Sequence, residues 1–351
     1  MGEADAYLNL NKAAWGHISD YGELDRRIRL IRKHILGTLF SAAGRLQFAL
    51  LDNEIDQSQS QPHIFITGHW RSGTTYLHNL MCLDPNYTFP TTSDCMNPHS
   101  LLLENSRKTA RGKTARRPMD NLMVSAQSPQ EDEFALLNLG ARSPYECLLF
   151  PQKLHEALSI ADPESMELQD RQNWERTFRA FVHLISFVGN DRPVMFKSPT
   201  HSYRVNSIAT AFPNAKFISI RRNPLEVFES TFRMWKSLFE LYAIGPSIND
   251  DDLRETILKN GTTLERKMSD ALGKLTKGRV AFLDYENLVH APTSELQKIY
   301  ETLNLDSSHL ISTQSMQAIK KHKAYKALNE MPPPEWRTRV LSEWNNFTSY
   351  R

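Results

Sequence analysis

Between residues 62 and 305, short apolar runs of strand length alternate with longer stretches in which apolar positions recur every three or four residues. The runs are IFIT at 64–67, then PVMFKS, AKFISIRR and RVAFLD. Each is followed by helical patterning, in order TTYLHNLM, YRVNSIATAF, PLEVFESTFRMWKSLF and SELQKIYETL. Strands that alternate with helices build βαβ units, so the pattern predicts an α/β fold with a central parallel sheet flanked by helices.

Around this frame the pattern predicts additions. Ile28, Ile31, Ile35 and Leu39 recur at helical spacing between Arg26 and Leu51, which places a helical extension over 1–60 ahead of a main domain at 61–351. The polar stretch DNEIDQSQSQP links the two. A long excursion at 84–190, with helices near 131–139 and 171–188, and a second one at 235–275 are expected to be helical insertions that cover a substrate. Near the C-terminus, KHKAYKALNEMPPPEWRTRV breaks at three prolines and is expected to wrap the domain surface.

Charge narrows the function. The 351 residues hold 42 Lys and Arg against 40 Asp and Glu, a formal charge of +2. No bulk field for nucleic acid follows, and any anion site must be local. The basic run at 107–117 reads as a solvated loop. Cys82, Cys95 and Cys147 form no CxxC pair, which fits a reducing compartment and core or idle thiols. The first residues lack the pattern of a signal peptide, and no apolar run reaches the roughly 18 residues of a spanning helix. A cytoplasmic protein without an integral membrane segment is expected; oligomeric state is not legible.

The informative stretch is HIFITGHWRSGTTYLHNLM, from residue 63. Gly68 and Gly73 stand at the GxxxxGK[ST] spacing of a phosphate-binding loop, after a strand and before a helix. Such glycines let backbone amides converge on a phosphate, and the helix N-terminus adds its positive end. Thr74 occupies the place of the lysine that reaches the β and γ phosphates of a nucleoside triphosphate. The cation lies instead at Arg71, followed by Ser72 and the hydroxyls of Thr74 and Thr75, an arrangement suited to a terminal phosphate with a group leaving from it. An ordinary turn capped by Ser or Thr explains the glycines and hydroxyls but not the arginine. A second anion site is expected where AKFISI ends in Arg221 and Arg222: Asn223 and Pro224 start a helix there, and Ser230 follows.

The segments RSGTT at 71–75 and RRNPLEVFES at 221–230 resemble the two donor-binding motifs of sulfotransferases that use 3'-phosphoadenosine 5'-phosphosulfate (PAPS). VMFKSPTHSYRVNSIATAFPNAKFISIRRNP and FLDYENLVHAPTSELQKIYETLNL resemble later segments of the bacterial and tyrosylprotein branches. The resemblance implies that Arg71, Ser72, Gly73, Thr74 and Thr75 hold the 5'-phosphosulfate and that Arg222 and Ser230 hold the 3'-phosphate; Tyr285 joins the donor site by its place at the carboxyl end of a predicted strand, where open α/β sheets bind ligands. The resemblance also implies that Lys197 faces the leaving oxygen and that Asp94, in FPTTSD, is the general base. His69, His99, Glu131, Asp132 and Glu133 are competing bases.

Two departures stand out. Arg71 replaces the lysine of cytosolic members, and their glycine-rich C-terminal loop is missing, with Lys321, His322 and Lys323 as substitutes for part of its work. PAPS is the implied co-substrate, with no metal, and the acceptor is a small-molecule or lipid hydroxyl or amine. Met96, Met119, Met123, Trp235, Phe239 and Tyr242 are candidates for its pocket or for the core. A nucleoside triphosphate kinase or hydrolase and a decayed nucleotide-binding protein are the rival functions.

Overall fold

The computed structural model describes residues 60–102, 114–117, 123–308 and 331–344. The expected N-terminal helix, Met119 and residues 321–323 lie outside them, as does most of the basic run. In chain order the regular elements begin with β1 (Ile64–Thr67), α1 (Thr74–Met81) and α2 (Thr92–Met96). A two-stranded hairpin, β2 (Ala115–Arg116) and β3 (Met123–Val124), precedes α3 (Asp132–Asn138), α4 (Leu154–Ser159) and α5 (Leu168–Val188). Then come β4 (Met195–Lys197), α6 (Val205–Ala211), β5 (Lys216–Arg221), α7 (Pro224–Tyr242) and α8 (Asp250–Leu272). The series ends with β6 (Val280–Asp284), α9 (Tyr285–His290), α10 (Pro292–Thr302) and α11 (Pro334–Glu343).

Two compact units divide the chain, one built from 60–89, 192–233 and 254 onward, the other from 90–191 and 234–253. The first holds a fully parallel sheet in the order β4, β1, β5, β6. Strands β4, β1 and β5 read as unbroken apolar runs because both faces are covered: Ile64, Phe65 and Ile66 have no exposed surface, nor do Met195, Phe196, Phe217 and Ile218. On one face Ile64, Ile66, Ile218, Ile220 and Leu283 meet Leu77, Leu80 and Met81 of α1 and Leu296 and Ile299 of α10. On the other, the Phe65 ring stacks on Phe196 at 5.4 Å and Phe217 at 5.8 Å, one from each neighbouring strand. At the edge, β6 alternates instead and leaves Phe282 43% exposed.

The chain leaves β4, passes over β1 and enters β5, so strand order reverses around β1. Open α/β sheets bind ligands outside the carboxyl ends of the strands at such a switch point. Register sets four strand ends there in steps: Lys197 ends β4 opposite Ile66, Thr67 ends β1 opposite Ser219, and β5 and β6 run on together to the pair Arg221 and Asp284.

The second unit is less helical than its sequence suggests. Short 3-10 turns at Pro144–Leu148, Pro151–Lys153 and Pro163–Ser165 each start on a proline, whose fixed φ favours a turn start and whose missing N–H needs no partner. The hairpin β2–β3 was not legible either. On α5, Trp174 stacks on Phe178 at 5.3 Å, and on α7 Trp235 stacks on Phe239 at 5.6 Å. Trp235 and Phe239 are thus core, while Met123 is 56% exposed.

Candidate active site

Between β1 and α1 the backbone turns sharply. Gly68 has φ 145 and Gly73 has φ 100, and Arg71 is held at φ 68, a conformation that a side chain rarely adopts. Such outliers persist where surrounding structure enforces them, and they cluster at functional sites. The enforcing bonds are specific. Gly68 N–H donates to Ser202 Oγ at 2.9 Å, and that hydroxyl returns a bond to the Gly68 carbonyl at 3.2 Å. Ser72 gives both its N–H and its Oγ–H to the His69 carbonyl, at 3.2 and 2.8 Å. The Trp70 carbonyl accepts from Thr231 Oγ1 at 3.3 Å and from His69 Nδ1 at 2.8 Å. With the His69 and Trp70 carbonyls engaged in this way, Ser72 helps to shape the loop.

Past the loop, α1 starts on Gly73 with no side-chain cap. The first N–H groups of a helix have no partner inside it and carry the positive end of its dipole, so this terminus suits an anion. Gly73 is also sterically required, because a Cβ there would lie 2.2 Å from Cδ2 of Tyr285.

Both motifs meet at Arg71. Its Nε donates to Ser230 Oγ at 3.0 Å, while Arg222 Nη1 reaches the Arg71 carbonyl at 3.4 Å. The Arg222 guanidinium lies over the Tyr285 ring, 4.4 Å from its centre, and donates through Nη2 to Glu226 Oε2 at 2.6 Å. Asn223 caps α7 as expected, its Oδ1 accepting from the Leu225 N–H at 3.0 Å. Two guanidinium groups, an uncapped helix start and a backbone cradle without side-chain bulk are a fitting set for a ligand with separate phosphate groups.

Lys197 ends β4 and is 2% exposed. Its charge pulls down on the Cys82 thiol, although burial outweighs it and leaves that thiol well above its ordinary value. Burial likewise raises Cys147, so both thiols are unreactive. Glu265 of α8 was not singled out from sequence. Burial pushes its carboxyl up to about 7, against the opposing charge of Arg221.

Asp94 lies in the other unit with no exposed surface. It is the third residue of α2 and completes a capping box: its Oδ2 accepts from the Thr91 N–H at 2.9 Å, and Thr91 Oγ1 accepts from the Asp94 N–H at 3.2 Å. Asp132 and Glu133, at the start of α3, are fully buried in the same unit, and Glu131 just before them accepts from the Tyr145 hydroxyl. Among the imidazoles, burial lowers His69 to about 4 and also lowers His99, each against a bond to a backbone carbonyl. An imidazole at that value is a weak base at neutral pH. Among the described residues, no group of three or more His, Cys, Asp or Glu is placed to hold a metal ion.

Comparison with known proteins identifies the family. A family model described as "Sulfotransferase family" matches residues 62–309. This chain belongs to the sulfotransferase family. The sulfotransferase is 32% identical over 288 residues to the omega-hydroxy-beta-dihydromenaquinone-9 sulfotransferase Stf3 of Mycobacterium bovis. That match covers 81% of this chain and 74% of the relative, and the Stf3 protein of Mycobacterium tuberculosis gives the same values. In fold it is similar to sulfotransferase STF1 of Mycobacterium tuberculosis, at a TM-score of 0.64 and 17% identity over 99% of this chain and 93% of that one. For STF9 of Mycobacterium avium the TM-score is 0.62 at 15% identity, over 89% and 84%. The protein is an enzyme that transfers a sulfuryl group from PAPS, and the kinase and decayed-site alternatives fall away. Among the described residues, no helix is long and apolar enough to cross a membrane.

Proposed function

We propose that this sulfotransferase moves the sulfuryl group of PAPS onto a hydroxyl of a lipid acceptor, with Arg71, Lys197, Arg222, Ser230 and Asp94 in distinct roles. The observation that carries the donor side is the meeting of the two motifs at Arg71. Residues 151 and 159 positions apart in the chain converge there through the Arg222 and Ser230 contacts. A ligand phosphate on the loop and a second phosphate beside α7 would each find a guanidinium.

Sulfuryl transfer needs the attacking oxygen and the leaving phosphate in line, as in phosphoryl transfer, so the protein's work is positioning and charge neutralisation. In this reading the first N–H groups of α1, with Thr74 and Thr75, hold the 5'-phosphate end, and Arg71 and Lys197 offset the charge that grows on the leaving oxygen. Arg222 and Ser230 hold the 3'-phosphate, and Tyr285 fixes the Arg222 plane from below. Asp94 takes the proton of the acceptor hydroxyl; its capping bond holds one carboxylate oxygen in place.

The lipid acceptor is supported by the Stf3 relative, whose name gives a hydroxylated menaquinone derivative as its substrate. The test is transfer of labelled sulfate from PAPS to a polyprenyl quinone with a chain-terminal hydroxyl, run beside a short alcohol and the corresponding amine. Transfer to the alcohol or amine at the rate of the lipid would refute lipid specificity. On the donor side, Arg222→Ala is expected to weaken adenosine 3',5'-bisphosphate by about 10- to 100-fold, the range for losing a charge-assisted phosphate contact, while adenosine 5'-phosphate changes little. Calorimetry with both ligands checks this, and equal losses would remove the 3'-phosphate role.

A further inference from the structure

Trp344 follows α11, outside the residues 62–309 matched by the family model, yet it reaches the loop that opens the donor site. The indole is 1% exposed. Its Nε1–H donates to the Leu258 carbonyl of α8 at 2.9 Å, and one ring edge fits a notch that exists only because residue 261 is glycine. A Cβ on Gly261 would lie 2.2 Å from Trp344 Cζ2. An edge contact with Phe228 of α7 at 5.6 Å fixes another side. What the indole then touches is the His69 ring, at 5.0 Å between centres.

His69 is a working part of the loop. A carbonyl only accepts, so the 2.8 Å contact makes Nδ1 the protonated nitrogen, donating to the Trp70 carbonyl. That bond, with Thr231 on the same oxygen, holds the peptide just before Arg71, the residue strained at φ 68. A ring that turned away would release one of the two bonds that hold this peptide.

We propose that Trp344 is a positioning residue for the donor loop: held by Leu258 and Gly261, it fixes the His69 ring and through it the backbone that presents Arg71. The proposal rests on the assignment of residues 68–75 to the phosphosulfate end of PAPS. Around the His69 ring stand Trp70 of its own loop and Trp344, and burial there holds the imidazole neutral, down at about 4. Charged groups on the loop and the elements packed with Trp344 include Arg71, Glu229 with Arg254 between α7 and α8, Glu255, Lys259 and Glu265 on α8, and Arg339 and Glu343 on α11.

The experiment compares Trp344→Ala and Trp344→Phe in the full chain by calorimetry with adenosine 3',5'-bisphosphate, by steady-state kinetics and by magnetic-resonance titration of the His69 ring. For Trp344→Ala the bisphosphate dissociation constant and the KM for PAPS are expected to rise about tenfold, as misplacement of a positioning group does, while the acceptor KM stays constant. The His69 midpoint should climb from about 4 toward 6.5 as water enters. Trp344→Phe keeps a ring against His69 and should restore most of the affinity. Where Trp344→Ala does not fold, a double-mutant cycle of Trp344→Leu, which keeps apolar bulk but no ring against His69, with His69→Asn carries the test: the two losses should be non-additive. A Trp344 variant that melts earlier yet leaves bisphosphate affinity and the His69 midpoint unchanged, or an additive cycle, would overturn the proposal and leave Trp344 a packing residue. Failure of the unsubstituted protein to bind the bisphosphate would instead strike the donor-loop assignment beneath it.

Discussion

Substitution of Lys197 by methionine is expected to lower kcat for sulfuryl transfer by about 10²- to 10³-fold while the affinity for adenosine 3',5'-bisphosphate changes little, the mark of a group that acts on charge developing in the transition state. The side chain is almost fully buried at the end of β4, level with the strand that feeds the loop. Methionine keeps its length and tolerates burial, so the sheet should persist, as circular dichroism would verify. A fall in bisphosphate affinity equal to the fall in kcat would show that Lys197 serves ground-state binding alone. The companion variant is Asp94→Asn. Its amide oxygen still accepts the Thr91 N–H, so the capping box survives and only basicity is lost, with an expected fall in kcat of about 10²- to 10⁴-fold. An unchanged kcat would move the base elsewhere, and Glu131, half-buried and bonded to the Tyr145 hydroxyl, is next in line.

The second large effect is expected for Gly73→Ala, which should abolish measurable donor binding. Two independent causes act at this residue. A backbone held at φ 100 costs an alanine on the order of 1–3 kcal/mol, and the new methyl would occupy the space of the Tyr285 ring. That ring does not yield freely, because Arg222 lies over it. Adding Tyr285→Ala should remove the steric part and leave the backbone part, so the double variant should recover some stability but not full affinity. Thermal melting and bisphosphate titration of the three proteins separate the causes. A single Gly73→Ala variant that binds like the parent would mean the loop adopts another shape with the ligand bound.

Much of the sheet was legible because three of its strands are buried on both faces, which leaves an unbroken apolar run in the text: IFIT, FISI and VMFK could hardly be anything else. The loop was legible too, since GxxxxG sits at the one strand-to-helix junction where it has meaning. The rest depends on contacts between residues far apart. Nothing near Gly261 announces that Trp344 will fill its place, and Ser202 gives no sign that its hydroxyl will lock Gly68 from 134 positions away. The capping box at Thr91 and Asp94 is compatible with both a structural carboxylate and a base. Ser72 illustrates the opposite difficulty. Its residue type suits a phosphate ligand, but the turn enforced by Gly68 aims both its donors at the His69 carbonyl.

The contact between Arg222 and Glu226 bears on selectivity. At 2.6 Å, with side chains 8% and 15% exposed, the carboxylate is a resident anion on the cation proposed to hold the 3'-phosphate. Free phosphate, sulfate and 5'-mononucleotides must evict it with one weak contact, and they gain little. A bisphosphate anchored on the loop arrives with its second phosphate already at high local concentration, and displaces the carboxylate as a tethered competitor would. On the proposed donor site Glu226 would therefore set a threshold, making occupancy of the second site conditional on occupancy of the first.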